Sequence, residues 1–117
     1  MLSLANKNDL YFTEIHIPHK RHNLFEPIRV LVDTGAVLTV IDPSITYYFG
    51  YSAREAVSLS KLNGAAGRSE GYSIIVRQIK CLGQKINNFE IACHDIKSHT
   101  GISGLLGINF LDISKLR

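Results

Sequence analysis

The chain has 117 residues, five histidines and a net charge of +3, from 13 Lys and Arg against 10 Asp and Glu. Its 45% apolar and 20% charged content is that of a globule with one core, too short to divide in two, so 1–117 is read as a single domain. No run approaches the 18 or so apolar residues that cross a bilayer, and Met1–Tyr11 carries Asn6, Lys7, Asn8 and Asp9 where a signal peptide would be apolar; the expectation is a cytoplasmic protein with no membrane partner.

Leu10 to Pro18 alternates loosely and stops at a proline, which predicts a strand. His19–Glu26 is polar and turn-like. Its cluster His19-Lys20-Arg21-His22 reads as a solvated loop rather than a nucleic-acid footprint, so no nucleic-acid partner is expected. His16, His19 and His22 do not form a metal set, because Pro18 breaks any helix that would align them and no further ligand completes it. Pro27 then precedes a strand, Ile28–Val32, that runs into Asp33.

Leu38–Ile41 predicts another strand. Asp42-Pro43-Ser44 predicts a helix start with Asp42 as N-cap, ending near Gly50. Ser52-Ala53-Arg54-Glu55 has capping-box spacing. Ala56–Leu62 and Gly71–Cys81 read as strands joined by a small, glycine-rich linker, Asn63–Glu70. Gly83-Gln84 suits a tight hairpin, and Asn87-Asn88 a bend. Phe89–His94 is strand-like, and its alternation places Cys93 on the apolar face as a buried structural thiol. A Cys93–His94 nucleophile pair is disfavoured because neighbours on a strand point to opposite faces. A polar loop (Asp95–Ser103), a short buried strand (Gly104–Leu106) and a late helical turn from Asn109 complete the chain. The fold class is all-β, with one or two short helices.

The segment around which these elements are arranged is Leu31-Val32-Asp33-Thr34-Gly35-Ala36. A strand ending in a carboxylate needs a reason, because an unpaired buried charge is costly. Gly35 allows backbone angles closed to other residues and close approach of a second backbone. Thr34 adds a hydroxyl. With Thr39 three residues after Ala36, and with Leu105-Leu106-Gly107-Ile108-Asn109-Phe110-Leu111 about seventy residues downstream, this segment resembles the active-site loop of the retropepsin-like, single-domain aspartic proteases. The resemblance covers Tyr11 to Leu111.

The resemblance implies a small acid-protease barrel holding half a site per chain. It implies Asp33, Thr34 and Gly35 as catalytic residues, with Ala36 and the flap residues Gly64, Ala65, Ala66 and Gly67 as substrate-binding. It implies no metal and no cofactor. Only one D-T-G is present; Asp9, Asp42, Asp95 and Asp112 lie in polar or capping contexts. The second carboxylate is therefore expected from an identical chain in a homodimer, with Thr34 joining the two loops, and a peptide or protein as substrate. A non-catalytic peptide-binding or dimerisation module retaining the protease fold is the alternative. Retroviral members often carry acidic residues two and three positions after the glycine and an arginine after the late glycine; Val37, Leu38 and Ile108 stand there instead, which implies altered subsites.

Overall fold

A computed structural model describes residues 10–64 and 67–115. Strands β1 (Phe12–Pro18) and β2 (Phe25–Val32) form an antiparallel ladder from Phe12↔Leu31 to Pro18↔Phe25. Alternation buries Ile15 and Ile17 on one strand, and Ile28, Val30 and Val32 on the other. β2 starts three residues before the expected Ile28, with Pro27 inside it. At that register β2 has no sheet partner on its other side among the described residues, because β7 (Gly104–Leu106) pairs only with Leu31 and Val32. A missing N–H is tolerated there.

The turn between them is solvated as expected at residues 20–24, which are exposed, but His19 departs from that reading. His19 is buried, its ring stacks on His22 and on Phe49 with centroids 4.5 Å away in each case, and its Nε2 lies 2.8 Å from Glu26 Oε2.

β3 (Thr39–Ile41) leads into α1 (Pro43–Tyr48), where the buried Asp42 caps the helix by accepting from the Ser44 N–H at 3.1 Å. Gly50, at φ 96°, ends it. The capping box is present on a 3-10 turn, Ala53–Glu55.

β4 (Ser58–Gly64) and β5 (Gly67–Cys81) pair continuously to Gly64↔Gly67. The expected Asn63–Glu70 linker is thus mostly strand, and positions 65 and 66 lie outside the described residues. β5 turns into β6 (Gln84–Cys93) through Leu82-Gly83, with φ of 51° and 75°. Two successive positive φ values make a mirror-image hairpin turn, so the turn sits one residue earlier than Gly83-Gln84. Asn88, at φ 52°, bends β6 without changing its register. α2 (Lys97–Thr100) interrupts the expected polar loop, and α3 (Ile108–Lys115) follows β7.

Among the described residues the strand order is β1-β2-β7-β3-β6-β5-β4, and His16↔Lys80 joins β1 back to β5. Six strands therefore close on themselves and β4 hangs from β5 as one arm of a hairpin. Ile15, Val30, Ile41, Ile74, Ile79, Ile91, Leu106 and Phe110 fill the barrel. Cys81 and Cys93 are buried in this core as free thiols; burial pushes the Cys81 thiol up to about 11 and the Cys93 thiol upward.

Candidate active site

Asp33 leaves the end of β2 on a turn fixed at both ends. Its N–H donates to the Leu106 carbonyl at 3.0 Å, and its own carbonyl accepts from Ala36 N–H at 3.2 Å. The half-buried carboxylate accepts from the Gly35 N–H through Oδ1 at 2.9 Å. Gly35 is not in the left-handed region, so conformational freedom is not its reason for being glycine. A Cβ there would lie 3.2 Å from Asp33 Oδ1, crowding the carboxylate that the Gly35 N–H holds. Thr34 is exposed, and its side chain makes no hydrogen bond among the described residues.

The loop is bound to the start of α3. The first N–H groups of any helix lack intrahelical partners. Here Ile108 N–H donates to the Ala36 carbonyl at 2.8 Å and Asn109 N–H to the Val37 carbonyl at 3.2 Å. Gly107 N–H donates to Thr39 Oγ1 at 3.1 Å, and the Thr39 hydroxyl donates onward to Asn109 Oδ1 at 2.9 Å. The same Oδ1 accepts from Thr39 N–H at 2.8 Å, while Asn109 Nδ2 donates to the Glu90 carbonyl on β6 at 2.9 Å. One amide side chain therefore ties the Asp33 loop, α3 and β6 together. A Cβ on Gly107 would sit 2.6 Å from the Leu38 carbonyl carbon and oxygen and 2.7 Å from the Ala36 oxygen. Only glycine permits that approach.

Asp33, Thr34, Gly35 and Ala36 thus share one turn. Gly64 and Gly67 lie on the β4–β5 hairpin, across the sheet; Ala65 and Ala66 fall outside the described residues. Polar ties hold the base of that hairpin to the barrel. The Ser58 and Ser73 hydroxyls are 2.7 Å apart, and buried Ser73 donates to Glu90 Oε2 at 2.7 Å. Ser60 Oγ is 2.9 Å from Nε2 of the buried His94, and a Cβ on Gly71 would strike the Cys93 carbonyl at 2.1 Å and His94 Nδ1 at 3.0 Å. Burial pushes the His94 imidazole down. Cys93 Sγ faces the Thr46 hydroxyl at 3.7 Å, so Cys93 and His94 bond in different directions and do not form a nucleophile–base pair.

Leu38 packs with Leu105 on a small cluster of Val40, Ala92 and Ile96, while the Val37 side chain is 71% exposed. Where the resemblance leads one to look for charges, the loop is apolar. Sequence reading named Thr39 and Asn109 as parts of two motifs without a joint role. Their partnership spans 70 positions, and only the pairing of a hydroxyl residue with an amide in the two motifs could have signalled it.

A family model described as aspartyl protease matches residues 22–110. The chain belongs to the aspartyl protease family. Two solved structures resemble this aspartyl protease-family chain. One is a retropepsin-like aspartic protease from Rickettsia conorii, at 18% identity and a TM-score of 0.66, covering 92% of this chain and 81% of that one. The other is EIAV protease complexed with the inhibitor HBY-793, at 24% identity and a TM-score of 0.69, covering 94% and 92%. At these identities the likeness shows the fold: this aspartyl protease-family barrel is retropepsin-like. No curated protein matches the chain.

Proposed function

We propose that this chain is an aspartic endopeptidase that acts as a homodimer, each protomer contributing one Asp33. The observation that supports this most is the Asp33 turn itself: a half-buried carboxylate, oriented by one backbone N–H, on a loop locked to α3. The other described aspartates are engaged or placed elsewhere. Asp42 caps α1, Asp95 accepts from Ser98 at 2.7 Å, and Asp112 is exposed on α3. Among the described residues no second aspartate accompanies Asp33, so a complete pair requires a second copy about a two-fold axis. Thr34, exposed and without a hydrogen-bond partner among the described residues, is suited to bond across that axis.

Two such carboxylates a few ångströms apart share one proton, because both cannot ionise together. The ionised one takes a proton from a water, which attacks the peptide carbonyl. The protonated one gives its proton to the carbonyl oxygen. The tetrahedral species then collapses: the second carboxylate takes back a hydroxyl proton, the C–N bond breaks, and the departing amine takes up the proton the first carboxylate drew from water. Ala36 and the Gly64–Gly67 end of the hairpin would hold the peptide backbone, the hairpin closing as a flap. Val37 and Leu38 would give the subsites beside Asp33 an apolar character.

The test is hydrolysis of a random peptide pool by wild type and Asp33→Asn. The Asn variant should fold and associate normally and cleave nothing. Wild-type specific activity should fall on dilution through the dimer dissociation constant, and excess Asp33→Asn should suppress it. Full activity in the variant, or specific activity unchanged in a demonstrably monomeric range, refutes the reading.

A further inference from the structure

The His19–Leu24 turn, the outer face of α1 and the 3-10 turn enclose an open groove of roughly 1030 Å³. It lies at the end of the barrel away from Asp33. β2 leaves it at Phe25 and reaches Asp33 after eight strand residues, a span of about 26 Å at 3.3 Å per residue. Tyr47 and Tyr48 stand along the groove, 72% and 63% exposed, and Lys20, Arg21 and Arg54 line it.

The carboxylates at this end are already committed. Glu55 accepts from Lys20 Nζ at 2.6 Å and from Ser52 N–H at 2.7 Å, and these bonds hold its carboxyl down at about 2. Glu26 meets His19 Nε2 at 2.8 Å and accepts from the Tyr48 hydroxyl at 3.2 Å. The guanidinium groups of Arg21 and Arg54 have no hydrogen bond or ion pair among the described residues. Two uncommitted guanidiniums therefore stand beside two exposed phenol rings, over a floor whose negative charge is spent.

We propose that this groove docks an extended acidic polypeptide segment that carries an aromatic or apolar side chain. A guanidinium binds a carboxylate through two parallel N–H···O bonds. Tyrosine offers a flat apolar face with little conformational entropy to lose, which is why such rings concentrate at protein-binding surfaces. A nucleic-acid strand fits less well. Binding of that kind draws on many phosphate contacts, and the groove offers only two uncommitted cations. That the segment belongs to a substrate cleaved at Asp33 rests on the protease reading; the docking does not.

The experiment is fluorescence anisotropy at low ionic strength with three labelled probes: a decapeptide alternating glutamate with tyrosine, its lysine–tyrosine counterpart, and a ten-nucleotide oligothymidine. The acidic peptide should bind saturably, the lysine peptide should not, and added salt should weaken the complex. Arg21→Glu combined with Arg54→Glu should weaken binding about tenfold or more, since two attractive contacts become repulsive. Tyr47→Ala should weaken it severalfold. Both variants alter exposed side chains, and an unchanged melting temperature confirms that they fold. Anisotropy reads binding and not hydrolysis, so failure here is distinct from failure of the protease reading. No binding of the acidic peptide, binding unaffected by the double charge reversal, or tighter binding of the oligonucleotide would each overturn the proposal.

Discussion

Asn109→Ala is the substitution that best tests how the Asp33 loop is held. It removes three hydrogen bonds, two from Thr39 and one to the Glu90 carbonyl, and Thr39 is fully buried. The Thr39 N–H is left without an acceptor; a buried unsatisfied donor costs about 1–3 kcal/mol, and the other two bonds add about 1 kcal/mol between them because a hydroxyl can rotate and a carbonyl has a second lone pair. The expected loss is about 2–4 kcal/mol, out of a total stability of roughly 5–15 kcal/mol. For a domain of this size that lowers the melting temperature by about 10 °C, readable by calorimetry or circular dichroism.

Thr39→Val removes the hydroxyl end of the same network, so the double variant should lose about 1 kcal/mol less than the two singles together. Amide exchange at Ile108 and Asn109 should accelerate in Asn109→Ala, because the carbonyls they bond belong to the loop that has been loosened. A melting temperature within about 2 °C of wild type, or strict additivity with Thr39→Val, would refute the claim that one amide ties loop, helix and sheet.

Burial raises the Asp42 carboxyl, but hydrogen bonds from the Ser44 hydroxyl and the Lys97 and Ser44 N–H groups outweigh it and hold it below its usual value. Its contribution is therefore complete above the unfolded value near 3.8 and lost as pH falls through the lower folded one; Asp42→Asn should be less stable at neutral pH, and its urea midpoint should flatten over that acid window while wild type falls. Leu82 occupies the left-handed region at φ 51° and is exposed, so Leu82→Asn should raise stability by about 0.5–1 kcal/mol in chemical denaturation. Amide exchange at Gly64 and Gly67 should be fast in the free protein and slow on adding a peptide-like transition-state inhibitor; slow exchange unchanged by the inhibitor would count against a flap.

What was legible in the sequence is what depends on residues close together. The Asp42 cap, the Ser52–Glu55 box and the alternation of Ile15 and Ile17 follow from spacings of a few residues, and each is present. The misreadings came where a distant partner overrides local character. His19 sits in a hydrophilic run but is buried because Phe49, thirty residues on, supplies a ring to stack against. Pro27 looks like a boundary, yet β2 runs through it because the neighbouring strand reaches only Leu31 and Val32. Asn63–Glu70 looks like a linker from its glycines and polar residues, while the cross-strand ladder that extends it needs only backbone. The groove at the other end was not legible beyond the basic cluster His19-Lys20-Arg21-His22, since α1 and the 3-10 turn meet the His19 turn only in the fold.

The same contrast explains why the two motifs must occur together. Alone, the loop at Ala36 and Val37 would leave carbonyls without donors, and α3 would begin with N–H groups lacking acceptors. Docked, each satisfies the other at 2.8 and 3.2 Å, and Gly107 is what lets the backbones come that close. Asp33 therefore cannot shift without uncapping a helix, breaking the Thr39–Asn109 bonds and disturbing β6 through Glu90. Among the described residues, the hairpin's side-chain ties to the barrel lie at its base, at Ser58, Ser60 and their partners. In the proposed endopeptidase, a carboxylate on a fixed loop and a hairpin tied at one end would divide the work of peptide hydrolysis: the reacting group would stay in place while the hairpin moved to admit the chain.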